Sequence, residues 1–356
     1  MSSFAKFLLR RLLAVPLTLF IITLVLYAGV MLTPPEARVS LYMPPNLSAR
    51  LTEAQVANLQ EQYIARYHLR DPFPVQYALW VTSLLNGSWG FSPALEEDVL
   101  PALLRRTPVT LELAFYSLLV FVPLGLFSGA LAGWKKNSPA DGVFRALAFV
   151  STSLPPFILS IFLLVVFYLN LNWFMPERIS DVLRFQLSKE TFHAFTGFLT
   201  LDSLLNGRPD IFADALRHLA MPVFTLSLAH WATLARITRA SIIGERRREY
   251  ILAARAHGLN ERGLLWRHAF PNTFAPSLTS ILLSAASIVT GVFVVEIIFN
   301  FNGVSDLITR SMRGVPDAPA ALGFAVYSVL LVLLMTFFLD IALAIFDPRV
   351  RDEVTQ

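Results

Sequence analysis

Six windows of about twenty or more predominantly apolar residues recur along the chain, at roughly Leu12 to Leu32, Leu113 to Trp134, Phe144 to Leu169, Leu219 to Ile243, Pro276 to Phe299 and Leu322 to Phe346. An α-helix rises about 1.5 Å per residue, so each window can cross the roughly 30 Å hydrocarbon core of a bilayer. No water is available there to bond a free amide or carbonyl, and a helix satisfies every backbone group within its own segment. The windows predict an all-α polytopic membrane protein with six transmembrane helices. Composition agrees: 55% of the 356 residues are hydrophobic and only 15% are charged, which excludes an ordinary soluble domain.

Basic residues near the window ends orient the chain. Lys6, Arg10 and Arg11 precede the first window, Lys135 and Lys136 follow the second, Arg246 to Arg248 follow the fourth, and Arg349 and Arg351 follow the sixth. With an even number of spans these clusters share one side, and an excess of Lys and Arg assigns that side to the cytoplasm, with both termini inside. The first window is longer than a signal-peptide core and lacks a small-residue cleavage site, so it is read as retained. The net charge of +4 therefore reports topology and not nucleic-acid binding. Cysteine is absent, which excludes disulfides and thiolate metal sites.

These boundaries divide the chain into 1–32 (N-terminus and first span), 33–107 (an external helical subdomain) and 108–356 (a five-helix core with an external loop 170–217 and a cytoplasmic loop 244–272). Within 33–107, Thr52-Glu-Ala-Gln55 has the form of a capping box, and Val56, Leu59, Tyr63 and Tyr67 follow at helical spacing. The apolar run Val75 to Leu85, with Trp80 and then Trp89, suits a segment at the membrane interface, where indole rings settle. Residues 170–217 mix aromatic and charged side chains without a period, and no role is predicted for them.

Several intramembrane residues carry alternative readings. Gly125, Gly129 and Gly133 stand at four-residue intervals, a spacing that leaves a flat face for helix packing. Ser284, Ser287, Thr290 and Gly291 form a small face that either lines a hydrated pathway or only packs. Pro155 and Pro156 interrupt the third window and predict a kink. Asp340 lies about 10 Å above Asp347 at helical rise, as a conformational latch or as a static buried ion pair or hydrogen bond. His230 is expected to be hydrogen-bonded in the bundle, and Glu296 to snorkel to water at the external end. No metal site and no catalytic residue is predicted: His-Glu-x-x-His, Gly-x-Ser-x-Gly and Gly-x-x-x-x-Gly-Lys-Ser/Thr are all absent.

Between the fourth and fifth windows runs Glu249-Tyr-Ile-Leu-Ala-Ala-Arg-Ala-His-Gly258-Leu-Asn, closed by Leu265-Trp-Arg-His-Ala-Phe-Pro-Asn272. Small side chains at Ala253, Ala254 and Ala256 permit close approach, Tyr250 and Ile251 supply an apolar anchor, and Gly258 can take the left-handed conformation that ends a helix. A docking helix and a basic solvated loop both fit this pattern. The run resembles the "EAA" loop of ABC importer permeases, in the wording of the dipeptide/oligopeptide/nickel branch. Phe7-Leu-Leu-Arg-Arg-Leu-Leu, Pro72 to Trp80, Thr107 to Leu113, Ser153 to Phe157, His218 to Pro222, Leu234 to Ala240 and Asp340 to Arg351 are similar to that branch in the same order, so nearly the whole chain is covered. Two departures stand out. Leu252 occupies the position of the motif's glutamate, and Arg313-Gly-Val-Pro-Asp-Ala-Pro319 stands where relatives carry an Arg-Asp-x-Pro element.

The resemblance implies a type I importer-like permease in the cell (plasma or inner) membrane, working by alternating access. Glu249, Tyr250, Ile251, Ala253, Ala254, Arg255, Ala256 and Gly258 would couple it to ATPase subunits. The implied partners are a second homologous permease, two cytoplasmic ABC ATPases and an external substrate-binding protein. No cofactor is implied on this chain, ATP and magnesium being used by the partner subunits. Peptides, nickel chelates and some sugars are all cargo of similar permeases. An ATP-independent channel and a membrane-embedded enzyme are the rival classes.

Overall fold

The computed structural model describes residues 3–39, 52–187, 189, 192–312 and 317–346. From the N-terminus these form α1 (Ser3–Met31), α2 (Pro35–Arg38), α3 (Glu53–Arg66), α4 (Phe73–Leu85), and a hairpin of β1 (Phe91–Ser92) and β2 (Glu97–Asp98), paired antiparallel. There follow α5 (Val99–Trp134), α6 (Pro139–Ser153), α7 (Pro156–Leu163) with a π-helical continuation Leu164–Asn170, α8 (Asp181–Leu187), α9 (Leu199–Leu205) and α10 (Pro209–Glu245). Then come α11 (Glu249–Ala256), α12 (Glu261–Gly263), a π-helical turn Leu264–Ala269, α13 (Phe270–Asn272), α14 (Phe274–Ile298), α15 (Ser305–Ser311) and α16 (Ala318–Phe346).

Among the described residues, five helices are long and apolar enough to cross a membrane: α1, α5, α10, α14 and α16. The sixth window is a broken pair, α6 and α7 with its continuation, bent by 100°. Ser138 caps α6 and accepts from the Asp141 amide, whereas Leu154 is extended (ψ 114°) ahead of the two prolines. A residue before proline is driven out of the helical region, and proline removes an amide donor. The third span is thus two helices and not one kinked rod. Helices α5 and α10 run 36 and 37 residues, well beyond their apolar windows, so hydropathy located the crossing but not the helix ends.

Packing groups the chain into two units, one of 8–107 with 303–333 and one of 1–7, 108–302 and 334–356. The first unit joins α1 to the segment predicted as a separate subdomain. Tyr27 of α1 stacks on Trp80 of α4 at 4.9 Å, and the Thr23 and Tyr77 hydroxyls share a hydrogen bond of 2.9 Å. The Thr52 amide donates to the Gln55 side chain at 2.9 Å, the reciprocal half of the capping box, and α3 packs Ile64 with Val39 and Leu69. At the start of α16, buried Asp317 accepts from Ser92 Oγ (2.5 Å), the Ala94 amide (3.2 Å) and the Ala320 amide (3.0 Å). The departure at Arg313 to Pro316 lies outside the described residues.

The second unit packs α5, α7, α10 and α14 around Leu113, Leu159, Leu219, Leu226, Val292 and Phe299. Gly125, Gly129 and Gly133 of α5 lie against α10: a Cβ at these positions would stand 2.8 Å from Leu234 Cδ2, 2.4 Å from the Ala235 carbonyl oxygen and 2.7 Å from that of Arg239. The described residues of the loop 170–217 are fastened to this unit. Glu112 of α5 receives Arg178 Nη2 at 2.5 Å and the Thr200 amide and hydroxyl at 2.9 and 2.6 Å.

Asp141, fully buried at the start of α6, takes a bidentate bond from Arg239 of α10 at 2.6 and 2.8 Å. Breaking a buried pair costs up to roughly 3–5 kcal/mol; here the Asn137 amide at 3.0 Å and Arg145 at 3.8 Å still face the carboxylate once Arg239 is gone and hold the loss below that limit. Arg239→Met is therefore expected to lower the thermal unfolding midpoint in detergent by several degrees, and adding Asp141→Leu is expected to restore part of the loss. An unchanged midpoint in the single variant would show that the pair does not hold α6 to α10.

Candidate functional site

The segment joining α10 to α14 is folded throughout. Arg248 is extended (φ −72°, ψ 145°) and turns the chain into α11. At the other end the Gly258 amide donates to the Arg255 carbonyl at 3.0 Å and the Leu259 amide to the Ala254 carbonyl at 3.3 Å, with Gly258 at φ +84°. This is a Schellman termination, which satisfies the last carbonyls of the helix and reverses the chain. Asn260 then caps α12, its side-chain oxygen accepting from the Gly263 amide at 2.7 Å.

One apolar knob fastens α11. Ile251 is wholly buried among Ala130 and Trp134 of α5, Ile242 of α10, and Leu264, Leu265 and Ala269. Burying such a side chain is worth roughly 1.5–3 kcal/mol. Arg246 donates to the Trp134 carbonyl at 2.7 Å and lies over the Trp134 ring. Across the Gly258 turn, half-buried Arg255 makes a bidentate bond to exposed Glu261 at 2.8 and 3.2 Å; water reaches the pair, so it sets geometry more than stability.

Tyr250 departs from its predicted part as an apolar anchor. Its ring is exposed and its hydroxyl carries the contact, donating to Glu245 at 2.5 Å and accepting from Asn272 Nδ2 at 2.8 Å. Asn272 also donates to the His268 carbonyl at 3.0 Å. One phenol thus clasps the exit of α10 to the approach of α14. Partial burial, and then the bond to the Glu245 carboxylate, push the phenol above its ordinary pKa, so it is a neutral donor at neutral pH. Tyr250→Phe deletes the clasp alone, at about 1 kcal/mol, and amide exchange across 249–258 is expected to rise about fivefold. Exchange at the wild-type rate would mean that Ile251 suffices to order the helix.

With Ile251 inward and Ala254 and Arg255 half-buried, the exposed side of α11 carries Glu249, Leu252, Ala253 and Ala256. Their i, i+3, i+4, i+7 spacing makes one helix face. Its middle is Leu252 and two alanines, a shallow apolar strip with no long side chain in front of it, followed by exposed His257 and Gly258.

The other predicted residues separate. On α14, Ser287 and Thr290 share an exposed face with Leu283, Val294 and Ile297, whereas Ser284 turns inward beside buried Ala285 and Ile288. The three hydroxyls therefore do not form one lining. Ser287 and Thr290 bond to the carbonyls of Leu283 and Ser287 on their own helix. Glu296 is wholly buried and does not reach water. His230 packs its ring against Phe121 at 5.7 Å, with ring packing where a hydrogen bond was predicted. Asp340 is on α16, but Asp347 lies outside the described residues. Glu245, Asn272 and Glu261, which hold α11 in place, were not singled out from the sequence. The one signal for them is their position at helix ends flanking the motif.

Comparison with known proteins bears on this arrangement. Residues 122–352 match the family model described as "Binding-protein-dependent transport system inner membrane component". The chain is 32% identical over 303 residues to the probable D,D-dipeptide transport system permease protein of Escherichia coli (strain K12), covering 85% of this chain and 86% of that one. It is 30% identical over 349 residues to an oligopeptide transport system permease protein of Bacillus subtilis (strain 168), covering 98% and 99%. Against a di/tripeptide transport system permease protein of Pseudomonas aeruginosa (strain UCBPP-PA14) it is 29% identical over 353 residues, covering 98% and 99%.

Proposed function

The chain belongs to the binding-protein-dependent transport system inner membrane component family, the membrane permeases of ABC importers, and on that premise we propose that it passes peptides through its bundle and couples that passage to separate ATPases through α11. The similarity to permeases named for dipeptides, di/tripeptides and oligopeptides supports the cargo class. In this reading a second permease completes the pathway, an external binding protein delivers the peptide, and two ATPase subunits hydrolyse ATP with magnesium on the cytoplasmic side. Both termini and the loop carrying α11 lie on that side, with the Lys135, Lys136 and Arg246 to Arg248 clusters.

One observation carries the coupling assignment: α11 is tied at Ile251 and Tyr250 to the ends of α5, α10 and the approach to α14, with Arg246 just ahead of it bonded to the end of α5, while its opposite face of Leu252, Ala253 and Ala256 is bare. A helix anchored to the spans on one side and free on the other transmits a push without absorbing it. Small side chains let a groove on a partner close around the backbone. Leu252, at the position of the motif's glutamate, makes the middle of this contact apolar.

The test is co-purification in mild detergent with the second permease and the ATPase pair, comparing wild type with an Ala253→Asp, Ala256→Asp double variant. Both positions are exposed, so insertion and folding should be kept. The expected result is loss of the ATPases, or ATP hydrolysis no longer stimulated by peptide-loaded binding protein. Retention of both would remove α11 as the coupling element.

A further inference from the structure

Helix α9 is built inside out for a segment bordered by water. Thr200, Asp202 and Ser203 are wholly buried, whereas Leu201, Leu204 and Leu205 are 41%, 50% and 62% exposed. Its polar side is engaged by protein. Thr200 bonds to Glu112, Asp202 accepts from the Thr196 amide and hydroxyl and the Gly197 amide at 2.8, 2.8 and 2.9 Å, and Ser203 Oγ donates to the Thr200 carbonyl at 2.7 Å. In water each leucine turned inward would gain roughly 1.5–3 kcal/mol, so the arrangement is unfavourable there. Against hydrocarbon it costs nothing.

The depth of α9 fits the second environment. Thr200 bonds to Glu112, and Glu112 precedes Trp134 by 22 positions of the continuous helix α5, about 33 Å at helical rise. Lys135 and Lys136, directly after Trp134, have the character of one membrane surface, and the hydrocarbon core is about 30 Å thick. That places the first turn of α9 at the opposite rim of the core. The apolar surface is also continuous with that of a span: Phe198 meets Phe115 of α5 at 6.3 Å, and Phe115 and Leu119 are themselves exposed on α5.

We propose that α9 is an interfacial anchor, its leucines set among the acyl chains of the leaflet remote from Lys135 and Lys136 and its polar side held by Glu112. The segment 196–207 would then be part of the membrane-embedded body, fixing the height of the 170–217 loop on the bundle. A short helix with one apolar face against lipid and one polar face satisfied is a stable monotopic arrangement.

The absence of cysteine allows a direct test. Leu201→Cys, Leu204→Cys and Leu205→Cys, each alone, would carry a nitroxide in the chain assembled with its partner subunits in lipid nanodiscs. Leu119→Cys would be the lipid control and Lys136→Cys the aqueous control. The expected result is that at least Leu204→Cys and Leu205→Cys match the lipid control, with collisions with oxygen exceeding those with a water-soluble nickel chelate severalfold. A ratio matching Lys136→Cys would place α9 in water and overturn the proposal. Exclusion of both reagents would overturn it too, assigning the leucines to a partner subunit.

Discussion

Gly258→Val is expected to reduce ATP-dependent uptake about tenfold or more in proteoliposomes containing the complete transporter, with membrane insertion unchanged. A Cβ at Gly258 would meet nothing within 4 Å, so the effect does not come from crowding. It comes from the backbone: φ is +84°, and the left-handed region costs a residue with a Cβ roughly 1–2 kcal/mol, more for a β-branched one. A population shift of that size is about tenfold. The Schellman bonds from the Gly258 and Leu259 amides would be lost with it, and α11 would no longer end where Arg255 reaches Glu261. Gly258→Asn separates conformation from side-chain identity, because asparagine tolerates the left-handed region. It should retain most of the uptake. Equal activity of Gly258→Val and wild type, both in uptake and in stimulation of ATP hydrolysis by the binding protein, would refute the coupling role of this turn.

The second large effect is on folding. Gly129→Leu should abolish the monodisperse, folded chain in detergent, because the new Cβ would stand 2.4 Å from the Ala235 carbonyl oxygen and 2.9 Å from Thr238 Cβ. The obstacle at Ala235 is backbone, which cannot rotate away as a side chain can. Helices α5 and α10 would have to separate along the whole Gly125 to Gly133 stripe, undoing the contacts of Leu234, Ala235 and Ile242. Overpacking ordinarily costs about 1–3 kcal/mol, and displacing two spans lies at or above the top of that range. Gly142→Ala is the matched control, since nothing lies within 4 Å of its Cβ and alanine favours a helix interior. Size-exclusion profiles and thermal unfolding decide the matter. Wild-type behaviour of Gly129→Leu would mean that the two helices do not pack at this distance in the membrane.

The features legible before any coordinates share one property, that a few neighbouring residues decide them. Apolar length marks the crossings, Thr52 and Gln55 the start of α3, Pro155 and Pro156 a break, and Gly258 the end of α11. Even there the magnitude needed the fold: two prolines announce a bend, but 100° depends on where α6 and α7 find their partners on α10 and α14. Helix ends were misjudged for a related reason. Charged residues such as Arg105, Arg106 and Asp210 look like loop, yet helices α5 and α10 run through them, Arg106 bonding to Glu97 at 3.1 Å and Asp306 at 3.2 Å.

The role of each polar residue was not legible. Serines three residues apart on α14 were read as one face, but Ser284 and Ser287 diverge by about 60° around the helix at 3.6 residues per turn, enough to put one inside and one outside. Glu296 stands near a span end where snorkelling is the ordinary outcome, yet the bundle closes over it. Tyr250 offers a ring and a hydroxyl, and nothing local says that the hydroxyl matters.

By itself the sequence determined the class of molecule and the apolar stretches able to cross a membrane, because hydropathy, proline, glycine and short motifs act over one or a few turns. Only the tertiary structure decided which polar groups are fastened to which. Arg239 reaches Asp141 across 98 positions, Thr200 reaches Glu112 across 88, and Asn272 reaches Tyr250 across 22. In a bilayer each such group must find a partner inside the protein or at the rim, and that choice belongs to helices packed side by side, not to any run of neighbouring residues.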